Sequence, residues 1–300
     1  MKISIVIINW NNSLATQKCI QSLISWKDIE TLIWIVDNAS QLDPIGNKNE
    51  LSDKIRYIFN SVNRGFAGGN NTALNKILDE NMDAVLLLNN DAIISEENVK
   101  KLIASFDMDQ KLRIVGPLIY EQDSSKALIS MGGRDISRHI YTRNYITKLS
   151  SLPPDKLLVY VDYVPGTAVL IKTDLFKLIG SFDENYFFSG EMADFCERTR
   201  RKGFTCAVNV TSSATHHFDS KSKIRQTLYL YYNLRNRFLF ISKFYSSKKT
   251  YLYSSWIIYG IFMLIRALAK FQRKKAKATL LALIHGLSGK FGNQNDKILP

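Results

Sequence analysis

The side chains best suited to chemistry in this chain stand at the ends of apolar runs. Asn89-Asn-Asp91 closes the run 84–88, which reads as a fully buried strand. Buried strands of open α/β sheets carry chemistry just past their carboxyl ends. A carboxylate placed there is a hard oxygen ligand for Mg2+ or Mn2+ and could meet a ligand phosphate. Asp37, in Asp37-Asn-Ala-Ser40, follows the run 32–36 in the same way and offers an acceptor to a base or ribose. Asn63-Arg-Gly-Phe-Ala-Gly-Gly-Asn-Asn71 supplies glycines, whose main-chain N–H groups let a ligand approach closely. Gly65, Gly68 and Gly69 do not spell the GxGxxG dinucleotide fingerprint. The plainer alternatives are a simple turn at Asp37-Asn38 and an Asx turn with a capping role at 89–91.

Two more groups come late in the chain. Glu191 and Asp194 stand at i and i+3 on one helix face, behind the aromatic stretch Tyr186-Phe-Phe188. A carboxylate so placed can act as general base toward a hydroxyl, or the pair are first-turn acids favoured by the helix dipole. His216-His217 offers neutral imidazole to a metal, or fills surface or core.

The elements that must position these groups alternate. Strands are expected at 3–8, 32–36, 55–59 and 84–88, and helices at 13–25, 72–79 and 95–106. That order argues a doubly wound α/β sheet with right-handed crossovers. Gly-Pro, Gly-Gly and Pro-Pro breaks in 114–165 suggest short strands and loops. Strand character returns over 163–171, and helices follow at 174–179 and 191–202, the latter closed by Gly203. Beyond Ser220, Leu230, Leu234, Phe238, Ile241 and Tyr245 recur at helical spacing, and 250–265 is apolar and free of charge.

The net charge of +13 is local. Residues 220–300 carry 16 Lys and Arg against one acid, Asp296, whereas 1–219 are nearly neutral. A basic tail on a near-neutral domain suggests an anionic surface as partner. Nucleic acid is disfavoured, because the cations flank an apolar aromatic segment without an RNA-binding motif. Cys19, Cys196 and Cys206 form no CxxC pair and suggest neither a disulfide framework nor a zinc site. The N-terminal run reads as a strand and not as a signal peptide, since Asn9-Trp-Asn-Asn12 interrupts it.

Taken in order, these motifs resemble glycosyltransferase family 2, of the rhamnosyltransferase-like kind. The residues that carry the resemblance are Ile5-Val-Ile-Ile-Asn-Trp-Asn11, Val36-Asp-Asn-Ala-Ser40, 63–71 and Leu87-Leu-Asn-Asn-Asp91. They continue through Val164-Pro-Gly-Thr-Ala168, Gly180-Ser-Phe-Asp-Glu184, Tyr186-Phe-Phe-Ser-Gly-Glu191, His217-Phe-Asp-Ser-Lys-Ser222 and Tyr231-Tyr-Asn-Leu-Arg-Asn-Arg237. The resemblance implies an α/β GT-A fold, with a Rossmann-like, mostly parallel central sheet, flanking helices and a C-terminal helical extension. It divides the chain into a catalytic domain, 1–222, with a donor half 1–110 and an acceptor half 111–222, and a basic extension, 223–300.

It further implies a metal-dependent inverting transfer from a nucleotide-diphosphate sugar, dTDP- or UDP-linked, to a glycan or lipid-linked glycan. Asn9, Asp37, Asn63, Arg64, Gly65, Gly69, Asn70, Asn90 and Gly166 would bind the donor. Asp91 and His217 would hold Mg2+ or Mn2+. Where the family commonly has Gly-Glu-Asp, this chain has Gly190-Glu-Met192, so Glu191 is left as the base with Asp194 in support. A non-catalytic homologue that binds sugar nucleotide or membrane is the alternative that Met192 raises. The basic tail beside an aromatic apolar stretch suits an interfacial anchor on the cytoplasmic face of a membrane. Donor sugar, acceptor and oligomeric state stay open.

Overall fold

The computed structural model describes residues 1–46, 53–122, 127–138, 155–217 and 223–298. Its centre is a sheet whose first half is parallel. β1 (Lys2–Asn9) lies between β2 (Glu30–Asp37) and β4 (Ala84–Leu88), and β3 (Ile55–Phe59) pairs with the far side of β2. All three inner strands are rich in Ile, Val and Leu because helices cover both faces of the sheet. Ile3, Ile5 and Ile7 join one apolar core with Cys19, Leu23, Leu102 and Phe106. Val6, one pleat over, joins the opposite core with Leu74, Ile77 and Phe195.

The helices behind these cores are α1 (Ser13–Ile24) and α3 (Glu96–Met108) for the first, and α2 (Gly65–Ile77) for the second. Asn12 caps α1, and Ser95 caps α3. α2 starts seven residues before the expected position, with the glycine-rich stretch inside it. Tertiary packing overrides the low helix propensity of glycine here. A Cβ at Gly69 would press on Ile8, and one at Gly65 would collide with the Phe187 carbonyl.

The second half of the sheet is mixed. β5 (Ala92–Ile94), β6 (Leu112–Glu121), β7 (Leu128–Ser130), β8 (Leu158–Tyr160), β9 (Ala168–Lys172) and β10 (Thr205–His216) complete the order β3-β2-β1-β4-β9-β6-β10-β5, with β7 on β6 and β8 on β10. β9 runs antiparallel between β4 and β6, so one sheet passes without a break through position 110. Two long strands, β6 and β10, stand where sequence reading gave short strands or nothing. Gly116-Pro117 hides the first. Gly116 is needed there because any Cβ would meet Val164. α4 (Thr173–Ile179) ends at Gly180, and α5 (Glu191–Arg201) packs behind β10.

The C-terminal part is helical: α6 (Lys223–Phe244), α7 (Lys249–Ala269), α8 (Arg273–Leu287) and a short α9 (Asn295–Ile298). These share a third core built on Tyr231, Phe238, Trp256 and Leu283. α7 is five residues longer than the apolar run alone suggested.

Candidate active site

The parallel register aligns the carboxyl ends of β1, β2 and β4 on one edge. Asn9 pairs with Asp37 across β1 and β2, and Asn89 follows β4 beside them. A pocket of about 340 Å³ opens over that edge. Its wall includes Asn38, Asn63, Gly65, Phe66 and Asn70 on one side, and Asn89, Asn90 and Asp91 on another. Phe187, Phe188, Arg225 and Tyr232 close it.

Asn38 organises the first wall. Its amide nitrogen donates to the Asn63 side chain and to the Gly65 carbonyl, both at 3.0 Å. Its oxygen accepts from Asn60 Nδ2 at 3.0 Å and from the Arg64 N–H at 3.1 Å. These bonds fix the entry to α2, whose first turn therefore faces the pocket with Gly65 in the left-handed region at φ 68°. A helix N-terminus presents backbone N–H groups to an anion.

Several expected donor residues are placed behind the wall. Asp37 is buried, and its Oδ2 accepts from Asn9 Nδ2 at 2.8 Å and from the Ile45 N–H at 2.9 Å. Its Oδ1 accepts the Ser40 N–H at 2.8 Å. Asp37 and Asn9 thus shape the 38–45 loop. Arg64 turns away to pair with Glu184 at 3.0 Å. Gly69 and Gly166 permit close packing, the first against Ile8 and the second against Phe66 and Met192. Asn63, Gly65, Asn70 and Asn90 do line the pocket.

At the opposite wall three groups converge. β5 pairs antiparallel with the end of β10, His216 opposite Ala92, and this register sets His216 beside Asp91. His216 Nε2 is 3.0 Å from Asp91 Oδ1, and Arg225 Nη1 is 3.6 Å from Asp91 Oδ2. Burial pushes the Asp91 carboxyl up, but the His216 hydrogen bond and the charges of His216 and Arg225 outweigh it. The group lies below its ordinary pKa and is held ionised. The expected His217 is exposed, and it is its backbone N–H that donates to the Asp91 carbonyl, at 2.8 Å. Alternation along β10 sends 216 inward and 217 outward. The rest of its motif, 218–222, lies outside the described residues.

An oxygen ligand and an imidazole side by side suit Mg2+ or Mn2+. No cluster of three or more His, Cys, Asp or Glu occurs among the described residues. A cation here would take two protein ligands and complete its shell from phosphate and water.

The third wall is a bent loop. Phe187, Ser189 and Gly190 have φ of 59°, 68° and 101°, a run of left-handed residues that costs free energy unless the surroundings enforce it. α6 enforces it. Asn236 Nδ2 donates to the carbonyls of Tyr186, Phe188 and Ser189, and Arg235 to those of Asn185, Tyr186 and Gly292. Sequence reading noted Arg235 and Asn236 only as part of a motif. Their task as clamps appears once the loop and α6 are seen together.

Glu191 follows this loop at the start of α5 and is 7% exposed. Its Oε2 has no hydrogen-bond partner, and burial, with Asp194 nearby, raises its pKa to about 7. Glu191 does not itself line the pocket, whereas Phe187 and Phe188 do. Asp194 is fully buried; Arg198 Nε pairs with it at 2.7 Å and Lys243 from α6 reaches it too. That carboxylate ties α5 to α6. Met192 sits in the apolar core with Phe66 and Phe182.

The glycosyl transferase family 2 model matches residues 4–159. The low-salt glycan biosynthesis hexosyltransferase Agl10 of Haloferax volcanii is 26% identical, over 97% of this chain and 92% of its own length. The dTDP-rhamnosyl transferase RfbF of Shigella flexneri is 23% identical over 79% of each. A structure of GalNAc-T7 with UDP, GalNAc and Mn2+ superimposes with a TM-score of 0.63 at 15% identity, covering 85% of this chain and 50% of that one, so the likeness spans half of that protein. With the mixed sheet and the flanking helices, this places the fold as GT-A. The chain belongs to glycosyl transferase family 2.

Proposed function

We propose that this protein transfers a sugar, with inversion, from a dTDP- or UDP-linked donor to a hydroxyl of a glycan, in a metal-dependent reaction. The observation that carries this reading is the meeting of Asp91, His216 and Arg225 at the edge of a pocket whose other wall is a helix N-terminus. Asp91 and His216 would hold Mg2+ or Mn2+, which offsets charge on a leaving diphosphate. Arg225, which lines the pocket 3.6 Å from Asp91 Oδ2, would offer charge-assisted hydrogen bonds to the diphosphate. Asn63 and Asn70 offer amides to the donor. Phe187 and Phe188, packed on Tyr232, would exclude water from the pocket. Glu191, buried just behind the 187–190 loop with its pKa raised to about 7, would take the proton of the acceptor hydroxyl once that loop gives the acceptor access to it. A lipid-linked acceptor on the cytoplasmic face of a membrane fits the basic helical tail.

Nucleotide release from a panel of UDP-, dTDP- and GDP-sugars, with Mn2+ or Mg2+ and a lipid-linked acceptor extract, tests this. Release with one donor, dependent on metal and acceptor, is expected. A second reading, a sugar-nucleotide binder without turnover, is motivated by Met192 lying in the apolar core where the family commonly has its second acid. Donor binding without release from any donor would establish it and sink the transferase.

A further inference from the structure

We infer that the α7–α8 hairpin docks flat on an anionic phospholipid bilayer and seats a lipid phosphate in the cleft beside it. This deepens the membrane placement above but stands apart from the transfer chemistry. α7 buries Leu252, Trp256, Gly260 and Ala267 against its neighbours. Its opposite side is also apolar: Tyr251, Ile258, Phe262 and Ile265 are 72%, 68%, 56% and 61% exposed. An apolar face left in water on a helix already packed on its other side marks an interaction surface.

The segment Ser246–Ala269, 24 residues with a mean hydropathy of 1.5, is long and apolar enough to span. Its packing opposes spanning. Leu283 of α8 lies against Gly260, where a Cβ would press on it. The Trp256 indole donates to the Ser137 carbonyl at 2.7 Å, and the Arg237 guanidinium lies 4.0 Å from the centre of its ring. Carrying α7 through a bilayer would break these contacts or draw the buried Arg237 of α6 toward hydrocarbon. Lying in the interface keeps both sets of contacts.

The turn between the helices points to the same surface. Phe271 is 90% exposed and has φ 53°, a left-handed position where glycine is the usual occupant. An exposed aromatic kept at a strained turn and flanked by Lys270, Arg273 and Lys274 is an insertion tip with a cationic collar. A cleft of about 480 Å³ between α6, α7 and α8 adds Arg266, Lys270 and Lys275 beside Tyr229 and Tyr259. Residues 220–300 hold a single acid, Asp296, so a second copy would meet like charge at this face. An anionic lipid surface meets both its charge and its apolarity.

The full chain, without sugar nucleotide, is sedimented with vesicles of phosphatidylcholine alone or with phosphatidylglycerol. Binding to the anionic vesicles, weakened by salt, is expected. Lys270→Ala with Lys275→Ala should weaken the preference for phosphatidylglycerol and its salt dependence. Phe271→Ser should weaken binding about tenfold, the scale of one aromatic side chain withdrawn from the interface. Phe271→Gly separates folding from docking, because glycine relieves the turn: its melting temperature should hold or rise while binding falls as for Ser. Equal binding to both vesicle types, binding to neither, unchanged binding of Phe271→Gly, or a stable dimer that buries α7 would each overturn the proposal. None of these outcomes depends on whether the protein turns over a donor.

Discussion

Replacing Glu191 by Gln should make this protein more stable at pH 8 while leaving its stability at pH 4.5 unchanged. The Glu191 carboxyl is buried, one of its oxygens has no partner, and its pKa is raised from 4.5 to about 7. Below pH 4.5 the group is protonated in both the folded and unfolded chain and contributes nothing. Between 4.5 and 7 the unfolded chain releases its proton and the folded protein keeps it, so stability falls as pH rises. Above 7 the loss is complete. At 1.36 kcal/mol per pKa unit it amounts to about 3 kcal/mol. Gln keeps the shape without the ionisation, so the gap between variant and wild type should open over this window. Urea unfolding of both proteins at several pH values reads the gap directly. A difference that is the same at pH 4.5 and pH 8 would refute the reasoning, because it would mean that the carboxyl titrates alike in both states. The same substitution tests the base. Wild-type turnover should rise with pH and level off above about 7, and Gln should lower it by roughly 10²–10⁴. Near-normal turnover would remove Glu191 from that role.

Three further outcomes follow from the geometry. Arg225→Ala should raise the donor KM about 10- to 100-fold, the scale of one or two charge-assisted hydrogen bonds, in steady-state kinetics. Asn236→Ala should leave the carbonyls of Phe188 and Ser189 short of a donor. Chemical denaturation should then show a loss of about 1–3 kcal/mol, and calorimetry weaker donor binding. Asp194→Asn should cost about 2–3 kcal/mol in unfolding experiments, because Arg198 and Lys243 lose their shared carboxylate while Lys243 keeps Asp183 at 2.8 Å. Turnover per folded molecule should stay within a few-fold of wild type. A selective collapse of turnover in a stable Asp194→Asn protein would return that residue to the chemistry.

The strands at 3–8, 32–36 and 84–88 were legible because both faces are covered, so burial writes itself as continuous Ile, Val and Leu. β10 was not. Asn209, Thr211, Ser212 and Ser213 interrupt it with polar side chains that serve a bulge between Asn209 and Ser213. The Asn209 Oδ1 accepts from the N–H and the hydroxyl of Thr211 there, at 2.9 and 2.7 Å. That bulge also sets which of two adjacent histidines faces the sheet edge, so the choice of His216 over His217 depends on strand pairing that no local pattern reveals. α2 was begun too late because its glycines read as loop, whereas their missing side chains let Phe187 and Ile8 pack close. Asp91 was legible because it depends on its own strand alone. Arg225 and Asn236 were not, since each acts on a partner far away in the chain. The alternating strands and helices gave the α/β class, while GT-A came from the family resemblance. The acids at 191 and 194 looked equivalent at i and i+3, and only tertiary contacts separate a carboxyl with one oxygen left without a partner from one held by two cations.

The central claim is that Asp91 anchors a cation beside the donor diphosphate. Electron paramagnetic resonance of Mn2+ titrated with the protein, in the presence of UDP or dTDP, tests it most directly. The account predicts that wild type takes up Mn2+ in a nucleotide-dependent way, and that Asp91→Asn and His216→Ala lose that uptake while keeping their fold by circular dichroism. Nucleotide-dependent Mn2+ binding that survives unchanged in folded Asp91→Asn would contradict it.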